Sequence, residues 1–513
     1  MKNKKHSPGL QAGLFVLASV ASVSAQAAPS GVPREWIVRF REPQNSVKQA
    51  RRMAVESGAQ SLIRAQLLNE PEGLVKLSFA TDAQARAARE ALERSGQVVS
   101  IAPNLLYKKA VRYHFRPLRP EDQAARSSLP FFNLLEGLSQ TWDDPVAAMK
   151  AVIPDVLQPP SSPATGADPL LATDWAVAAV GMNRVLDLKA ATSVTTAVID
   201  TGVDYNHEDL ISAMWRKPGT PEEVGFDFAH KNAKPFDVVQ FDMNACLADS
   251  LCRIGFGAER FLVNPGHGTH CAGHVAAVQD NALGMRGMGS GASIMALKFF
   301  YDAGEAHAGQ GDDAAAIQTI DYAIQNGAKV INASWGARQE RLDAGSSELK
   351  KAFERAQKAG VLVVVAAGND GIDQDQDNEP TFPAAYDMDN LIVVAATDSK
   401  DQLAKFSNYG AKSVHIAAPG VGILSTVPGG RYSQEITRFK NPRTNEEQVM
   451  SWDGTSMAAP IVAGAAALIW SQHPEENYVQ IRDRILKSAR KVAGLDGKVL
   501  TGGVLDMAAA LGR

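Results

Sequence analysis

The chain has 513 residues, 45% of them apolar and 21% charged, a globular composition with enough apolar mass for a large core and more than one domain. Its formal net charge of -4 and pI near 6.2 leave no basic surplus. With no long Lys and Arg block after the first few residues, nucleic acid is excluded as an expected partner.

In chain order, residues 1–30 join a Lys-rich start to an apolar stretch from about Leu14 to Ala25, followed by Ala25-Gln26-Ala27. This reads as a secretory signal spanning 1–27 and cut after Ala27. The stretch is shorter than the roughly 18 to 20 residues of a membrane span, and no later stretch is long and apolar enough to span. The expectation is an exported chain, secreted or periplasmic, without a membrane span. Residues 34 to 110 carry a small α+β pattern, within a unit bounded at 28–110. "EWIVRF" and "GLVKLSF" alternate like strands, and "TDAQARAAREALERSG" has Thr81 or Asp82 as a cap and Gly96 as a stop. "QVVSIAPNLLY" returns as a strand. From Val111 to Ala167 proline, serine and polar residues interrupt any period, which reads as an exposed linker.

From Asp168 to the end, short apolar runs alternate with helical spacing. "TTAVID", "SIMALKFF", "AKVINASWG", "GVLVVVAAGN" and "LIVVAAT" are strand-like, while "DDAAAIQTIDYAIQNG" and "SSELKKAFERAQKAG" are helical and end in glycine. The alternation predicts an α/β unit, a parallel sheet covered by helices with its functional residues at strand C-termini. Of the three cysteines, Cys246 and Cys252 could close the loop "CLADSLC" or remain thiols, and Cys271 stays unpaired.

The chemistry rests on three distant residues. Asp200 leaves the strand "TTAVID", His267 sits among glycines in "HGTHCAG", and Ser456 precedes small residues in "GTSMAAP". A serine hydroxyl needs an imidazole to take its proton and a carboxylate to hold that imidazole in one tautomer. Locally Ser456 fits a helix cap as well as a nucleophile, and Asp200 fits a plain turn. A zinc site through His267, His270 and Cys271 is opposed by a spacing that is not HExxH. The order Asp, His, Ser also opposes a serine esterase of the hydrolase fold.

With "VIDTGVD", "HGTHCAG" and "GTSMAAP" in this order, and with "VVAAGND", "FSNYG" and "IAAPG", residues 168–513 resemble the subtilisin-like serine proteases, or subtilases. The resemblance implies a subtilisin-like, mostly parallel sheet with helices on both faces, preceded by a small α+β propeptide domain. It implies a serine endopeptidase working through an acyl-enzyme, with Asp200, His267 and Ser456 as triad and Asn369 as an oxyanion donor. Ser334, Trp335, Gly336, Ala366, Ala367 and Gly368 would form the substrate groove, Trp335 being larger than the family pattern, and a peptide would add as a strand. The acidic loop "GIDQDQDNEPTFPAAY" would favour a basic side chain in the pocket, or simply be solvated.

The resemblance further implies structural calcium held by Asp209, Asn281 and the backbone oxygens of Leu283 and Met285, completed by Gln279 and Asp168. It implies protein or peptide substrates, a monomer, and the N-terminal unit as an intramolecular inhibitor of a zymogen. The loop from Trp215 to Asn264 is extended and would border the groove. Cys271, beside His270, would lie under the active site and sensitise it to heavy metals or bulky thiol reagents. A processing protease of narrow specificity, or a catalytically silent binding protein on the same fold, are the competing readings.

Overall fold

The computed structural model describes residues 34–56, 62–111, 116–117, 154–159, 165–249, 261–340, 347–440 and 447–513. The expected signal and most of the expected linker lie outside them.

The N-terminal unit is built from β1 (Glu35–Phe40), α1 (Ser46–Glu56), β2 (Leu62–Asn69), β3 (Leu74–Phe79), α2 (Asp82–Arg94) and β4 (Val98–Pro103). This β-α-β-β-α-β order gives an antiparallel sheet β2-β3-β1-β4, the ferredoxin-like arrangement. Thr81 caps α2 by accepting the Gln84 N–H at 3.3 Å, and Asp82 is the first helical residue. Gly96 turns the chain out of the helix at φ 68°. Alternation along the strands buries both faces. Val38, Phe40, Val75, Leu77 and Phe79 pack under α1 and α2, while Ile37 and Leu74 join the core of the following domain. The sequence pattern reads residues 97–107 as one returning strand, but Asn104 breaks it. The chain leaves the small sheet there and continues as β5 (Leu106–Lys109) in the larger domain.

The larger domain is organised on β6 (Thr195–Asp200), β7 (Ser293–Lys298), β8 (Gln310–Asp312), β9 (Val330–Ala333), β10 (Trp335–Arg338), β11 (Leu362–Ala366), β12 (Leu391–Thr397) and β13 (Ile416–Pro419). Its main helices are α3 (His267–Ala276), α4 (Asp313–Gln325), α5 (Glu348–Lys358) and α6 (Thr455–Gln472). Among the described residues the main sheet has nine strands. From one edge they run 490–491, 503–504, β13, β12, β11, β9, β6, β7 and 225–227, all parallel except the first pair. Both faces are covered, so the strands read as unbroken apolar runs. Val198, Val364 and Val394 face α3 and α6, whereas Ala197, Ile199, Val363 and Val365 face α4 and α5.

Strand order reverses between β6 and β9, since β7 lies on one side of β6 and β11 to β13 beyond β9. Such a switch point opens a crevice at the strand C-termini, and Asp200 and Ser334 stand at the ends of the two strands that flank it. Among the described residues no helix is long and apolar enough to cross a membrane.

α3 and α6 cross so closely that only glycine fits. A Cβ on Gly464 would stand 2.8 Å from the Val275 carbonyl oxygen and 2.9 Å from the His274 one. Gly464→Ala should therefore lower stability by about 1–3 kcal/mol through overpacking, read as a lower urea midpoint. Gly494→Ala, with open space around it, should change the midpoint little; equal midpoints for both variants would refute the close crossing.

Candidate active site

Asp200 ends β6 fully buried, and its Oδ1 accepts hydrogen bonds from the Thr201 N–H and from His267 Nδ1, each at 2.7 Å. His267 opens α3. Its turn is set by Gly266 at φ 94° and by Asn264, whose Oδ1 accepts the N–H groups of Gly266 and His267 at 3.1 Å each. Gly268 lets the helix start touch the β6 loop, since a Cβ there would meet the Gly202 carbonyl oxygen at 2.0 Å. Ser456 lies in the first turn of α6, and its Oγ donates to the Ser334 carbonyl at 2.9 Å. His267 Nε2 is buried without a hydrogen-bond partner. The structure thus joins Asp200 to His267 directly and leaves the serine hydroxyl on the Ser334 carbonyl.

Pro460 sits inside α6 and has no N–H to give the carbonyl of Ser456, four residues earlier. The freed oxygen instead accepts from Ser334 Oγ at 3.0 Å and lies 3.5 Å from Cys271 Sγ. The helix runs on through residue 472, so the proline changes the bonding of its first turn rather than ending it. Asn369 follows β11; its Oδ1 accepts from both the N–H and the hydroxyl of Thr455 at 3.0 Å. This fixes the amide so that Nδ2 is the buried, unpartnered end.

The groove is filled by this chain itself. β5 lies antiparallel between β8 and β10, with Tyr107 opposite Gly311, Lys108 opposite Gly336 and Lys109 opposite Trp335. The Ala110 N–H donates to the Ser334 carbonyl at 3.1 Å, and the Ala110 carbonyl accepts the Ser456 N–H at 3.1 Å. A Cβ built on Gly454 would stand 2.4 Å from the Ala110 oxygen and 3.3 Å from Asn369 Nδ2, so both converge on one spot. Beyond Val111 the chain reappears as Arg116–Pro117, paired with Gln448 and Val449. Ala110 itself therefore rests on the first turn of α6.

Ser334, Trp335 and Gly336 meet β5, and the fully buried Trp335 ring packs against Phe299 at 4.9 Å and against Tyr107 of β5 at 5.2 Å. Its ring therefore walls the place that the Tyr107 side chain takes. Ala366, Ala367 and Gly368 stand behind the Ser456 turn, where Gly368 N–H donates to Thr455 Oγ1 at 3.1 Å and the Ala367 carbonyl accepts from Gln374 and Asn408. Within the acidic loop, Asp377 bonds Arg338 and Asp375 accepts the backbone N–H groups of Lys412 and Ser413. Asn332 is fully buried and donates to Ser334 Oγ.

Sequence reasoning missed Asp237. Fully buried in the extended loop, its carboxylate accepts from Thr201 Oγ1, Asn264 Nδ2, and both the N–H and hydroxyl of Thr269. It ties the loops carrying Asp200 and His267 together. Its sequence neighbourhood, "KPFDVVQF", gives no sign of this, because the partners are set by folding alone. His270 stacks on Trp452 at 4.1 Å, and burial pushes its ring far below the ordinary histidine range, so it serves as neutral packing. Cys246 is disulfide-bonded and Cys271 is free; Cys252, the partner suggested by spacing, lies outside the described residues. Cys271 is fully buried, 4.0 Å from His267 Nδ1, and burial pushes its thiol up, so a bulky reagent has no path to it in this form.

Of the residues expected to hold calcium, Asp168, Asp209 and Asn281 are joined by hydrogen bonds. Asp209 accepts from Asn281 Nδ2 at 2.8 Å and the Met285 N–H at 3.1 Å, and Asp168 accepts the N–H groups of Asp280 and Asn281. The Leu283 N–H donates to Asn281 Oδ1, and Gln279 Oε1 is taken by Arg286. Burial, opposed by its neutral donors and aided by the Asp168 charge, pushes Asp209 up to about 7.

Residues 191–502 match the subtilase family model, and the chain belongs to this family. It is 35% identical over 307 residues to the thermophilic serine proteinase of Bacillus sp. (strain AK1), covering 60% of this chain and 59% of that one. It is 40% identical over 224 residues to subtilisin DY of Bacillus licheniformis, covering 44% of this chain and 70% of that one. With thermitase of Thermoactinomyces vulgaris it shares 33% over 308 residues, 60% of this chain and 85% of that one. The crystal structure of fervidolysin from Fervidobacterium pennivorans superposes with a TM-score of 0.63 at 21% identity, covering 95% of this chain and 62% of that one, a likeness of fold. The chain thus spans about three fifths of the length of the thermophilic proteinase and of fervidolysin.

Beside the groove, His230 Nδ1 bonds Asp227 at 2.7 Å, and Nε2 faces Glu305 at 3.2 Å and Asp302 at 3.5 Å. The Asp227 hydrogen bond, partly opposed by burial, raises its pKa to about 9. A raised histidine stabilises the fold fully below the unfolded value near 6.5 and loses that contribution as pH rises through about 9. His230→Gln should cost on the order of 2 kcal/mol at pH 6 and nothing near pH 10, read from thermal midpoints at the two pH values. A pH-independent difference would contradict the assignment.

Proposed function

We propose that the chain is an exported serine endopeptidase made as a zymogen, with residues up to Ala110 as its own inhibitor and the Ala110–Val111 bond as the one it cuts to mature. The observation that carries this reading is the Ala110 carbonyl, held on the Ser456 N–H at 3.1 Å with the chain continuing past it on both sides. Ser456 Oγ attacks that carbonyl carbon in its own chain, and the carbonyl carbon of a peptide substrate later. His267 Nε2 takes the hydroxyl proton and then gives it to the leaving amine, here the Val111 nitrogen. Asp200, bonded to His267 Nδ1, holds the tautomer that leaves Nε2 free to accept. The negative charge developing on the carbonyl oxygen is met by the Ser456 N–H and by Asn369 Nδ2, preorganised through Thr455. Water then hydrolyses the acyl-enzyme.

The Ser456 hydroxyl must swing from the Ser334 carbonyl toward His267 before attack, which is consistent with an uncut strand resting in the groove. The N-terminal unit is anchored to support such inhibition. Arg39 and Ser100 bond Glu348 at the start of α5, Lys76 and Asn104 bond Asp312 at the start of α4, and Asn104 Oδ1 accepts the Ala314 N–H. A processing enzyme of narrow specificity is the second reading, favoured by the buried ring of Tyr107 and by the Lys109 Nζ bond to the Val263 carbonyl. A silent binding protein is opposed by the presence of Asp200, His267, Asn369 and Ser456 together.

Calcium would be held by Asp168, Asp209, Asn281 and the backbone oxygens of Leu283 and Met285, with Gln279 engaged by Arg286. Two buried acids answered by neutral donors fit a hard cation, which would stiffen the fold and take no part in the reaction.

Ser456→Ala should abolish casein hydrolysis by at least about 10⁴-fold and leave the chain uncut, while Asn369→Ala should lose about 10² to 10³-fold. Amino-terminal sequencing of the active form should begin at Val111. Maturation of the Ser456→Ala chain by itself, or a first residue elsewhere, would overturn the assignment.

Calcium at about a hundredfold over its Kd should add about 2.7 kcal/mol of stability, removed by a chelator and absent in Asp209→Asn. Unchanged thermal midpoints with calcium and with chelator would eliminate the site.

A further inference from the structure

The strand in the groove reports which side chains the groove was built to take. Its residues alternate. Lys108 is exposed, whereas Tyr107 is buried and Lys109 half-buried, so the second residue before the Ala110–Val111 bond is a lysine turned toward the wall of the groove. Its Nζ donates to the Val263 carbonyl at 2.7 Å and lies 5.3 Å over the Phe300 ring. Both contacts suit a cation, the first through a carbonyl dipole and the second through the ring face. The charges of Asp200, Asp237 and Asp302 favour the ammonium, and that of Lys298 opposes it. Lys298 is itself bound to Asp302 at 2.7 Å and to the Thr201 carbonyl at 3.0 Å, and His230 lies 3.5 Å from Asp302, so Asp302 is shared among cations on this side of the groove. Asp302 is kept in place by Gln240 Nε2 at 2.5 Å, and Gln240 and Val263 both come from the extended loop between Trp215 and Asn264.

We infer that the pocket made by the Val263 carbonyl, the Phe300 ring and Asp302 is a specificity subsite for a cationic side chain at the residue immediately preceding the one whose carbonyl is attacked. The substrates cut in trans are then proteins carrying a lysine or arginine followed by a small residue at the cut. This rests on the peptidase reading above and deepens it. The basic preference that the sequence attached to the acidic loop at 371–386 moves one residue along the substrate and to the other side of the groove. Burial draws the Lys109 ammonium down only to about 8, with Asp200 and Asp237 resisting, so it enters the pocket charged at neutral pH.

The test uses the mature enzyme and quenched-fluorescence peptides copying residues 106–113, with Lys, Arg, Leu or Glu at the place of Lys109. The lysine and arginine peptides should exceed the leucine peptide by roughly tenfold in kcat/KM, and the glutamate peptide should be the poorest. Asp302→Asn should narrow the ratio of lysine to leucine peptide. Equal kcat/KM for lysine and leucine peptides in an enzyme that cleaves both would overturn the subsite and leave the peptidase reading standing. No cleavage of any peptide or of casein, with no labelling of Ser456 by a fluorophosphonate, would overturn the peptidase reading and the subsite with it.

Discussion

Four hydrogen bonds converge on the buried carboxylate of Asp237, and the geometry around the switch point depends on them. A carboxylate taken out of water is costly unless its lone pairs are occupied, so the loops that supply the donors are held where they can reach it. Thr201 belongs to the turn that follows Asp200, and Asn264 and Thr269 bracket His267. One buried anion therefore fixes the distance at which Asp200 and His267 face each other. The glycine at 268 is the steric counterpart, since any side chain there would separate α3 from the end of β6.

The second constraint is the pairing of β5 with β8 and β10. A strand added between two others satisfies its backbone groups and alternates its side chains, so the groove imposes direction and register before any side chain is read. Direction brings Ala110 onto the Ser456 N–H. Register buries Tyr107, half-buries Lys109 and leaves Lys108 in water. The exposed position needs no partner, while each of the other two meets a matching wall, Trp335 for the ring of Tyr107 and a carbonyl with an aromatic face for Lys109.

The break of the expected strand at Asn104 shows how local pattern and tertiary demand divide. "QVVSIAPNLLY" has the residues of a single strand, and nothing in its alternation marks an end. Asn104, fully buried, instead bonds Glu35 on one side and Asp312 and Ala314 on the other, and so becomes the hinge between two sheets. Helix α1 and strand β2 were not legible either. β2 lies at the edge of its sheet with mostly half-exposed residues, and a weakly buried strand carries little apolar pattern.

The alternation of buried strands with helices and the family were legible in the sequence, as was the choice of Asp200, His267, Asn369 and Ser456 as candidates for the site. Those features are carried by short contiguous motifs and by local periodicity, which survive without knowledge of distant contacts. Only the folded chain shows that Asp237 ties the Asp200 and His267 loops together, that the Trp335 ring meets Tyr107, and that Ala110 rests on the Ser456 N–H with Lys109 on the Val263 carbonyl. Each of these depends on groups far apart in the chain meeting in a buried space, where charge and hydrogen bonding must be satisfied at once.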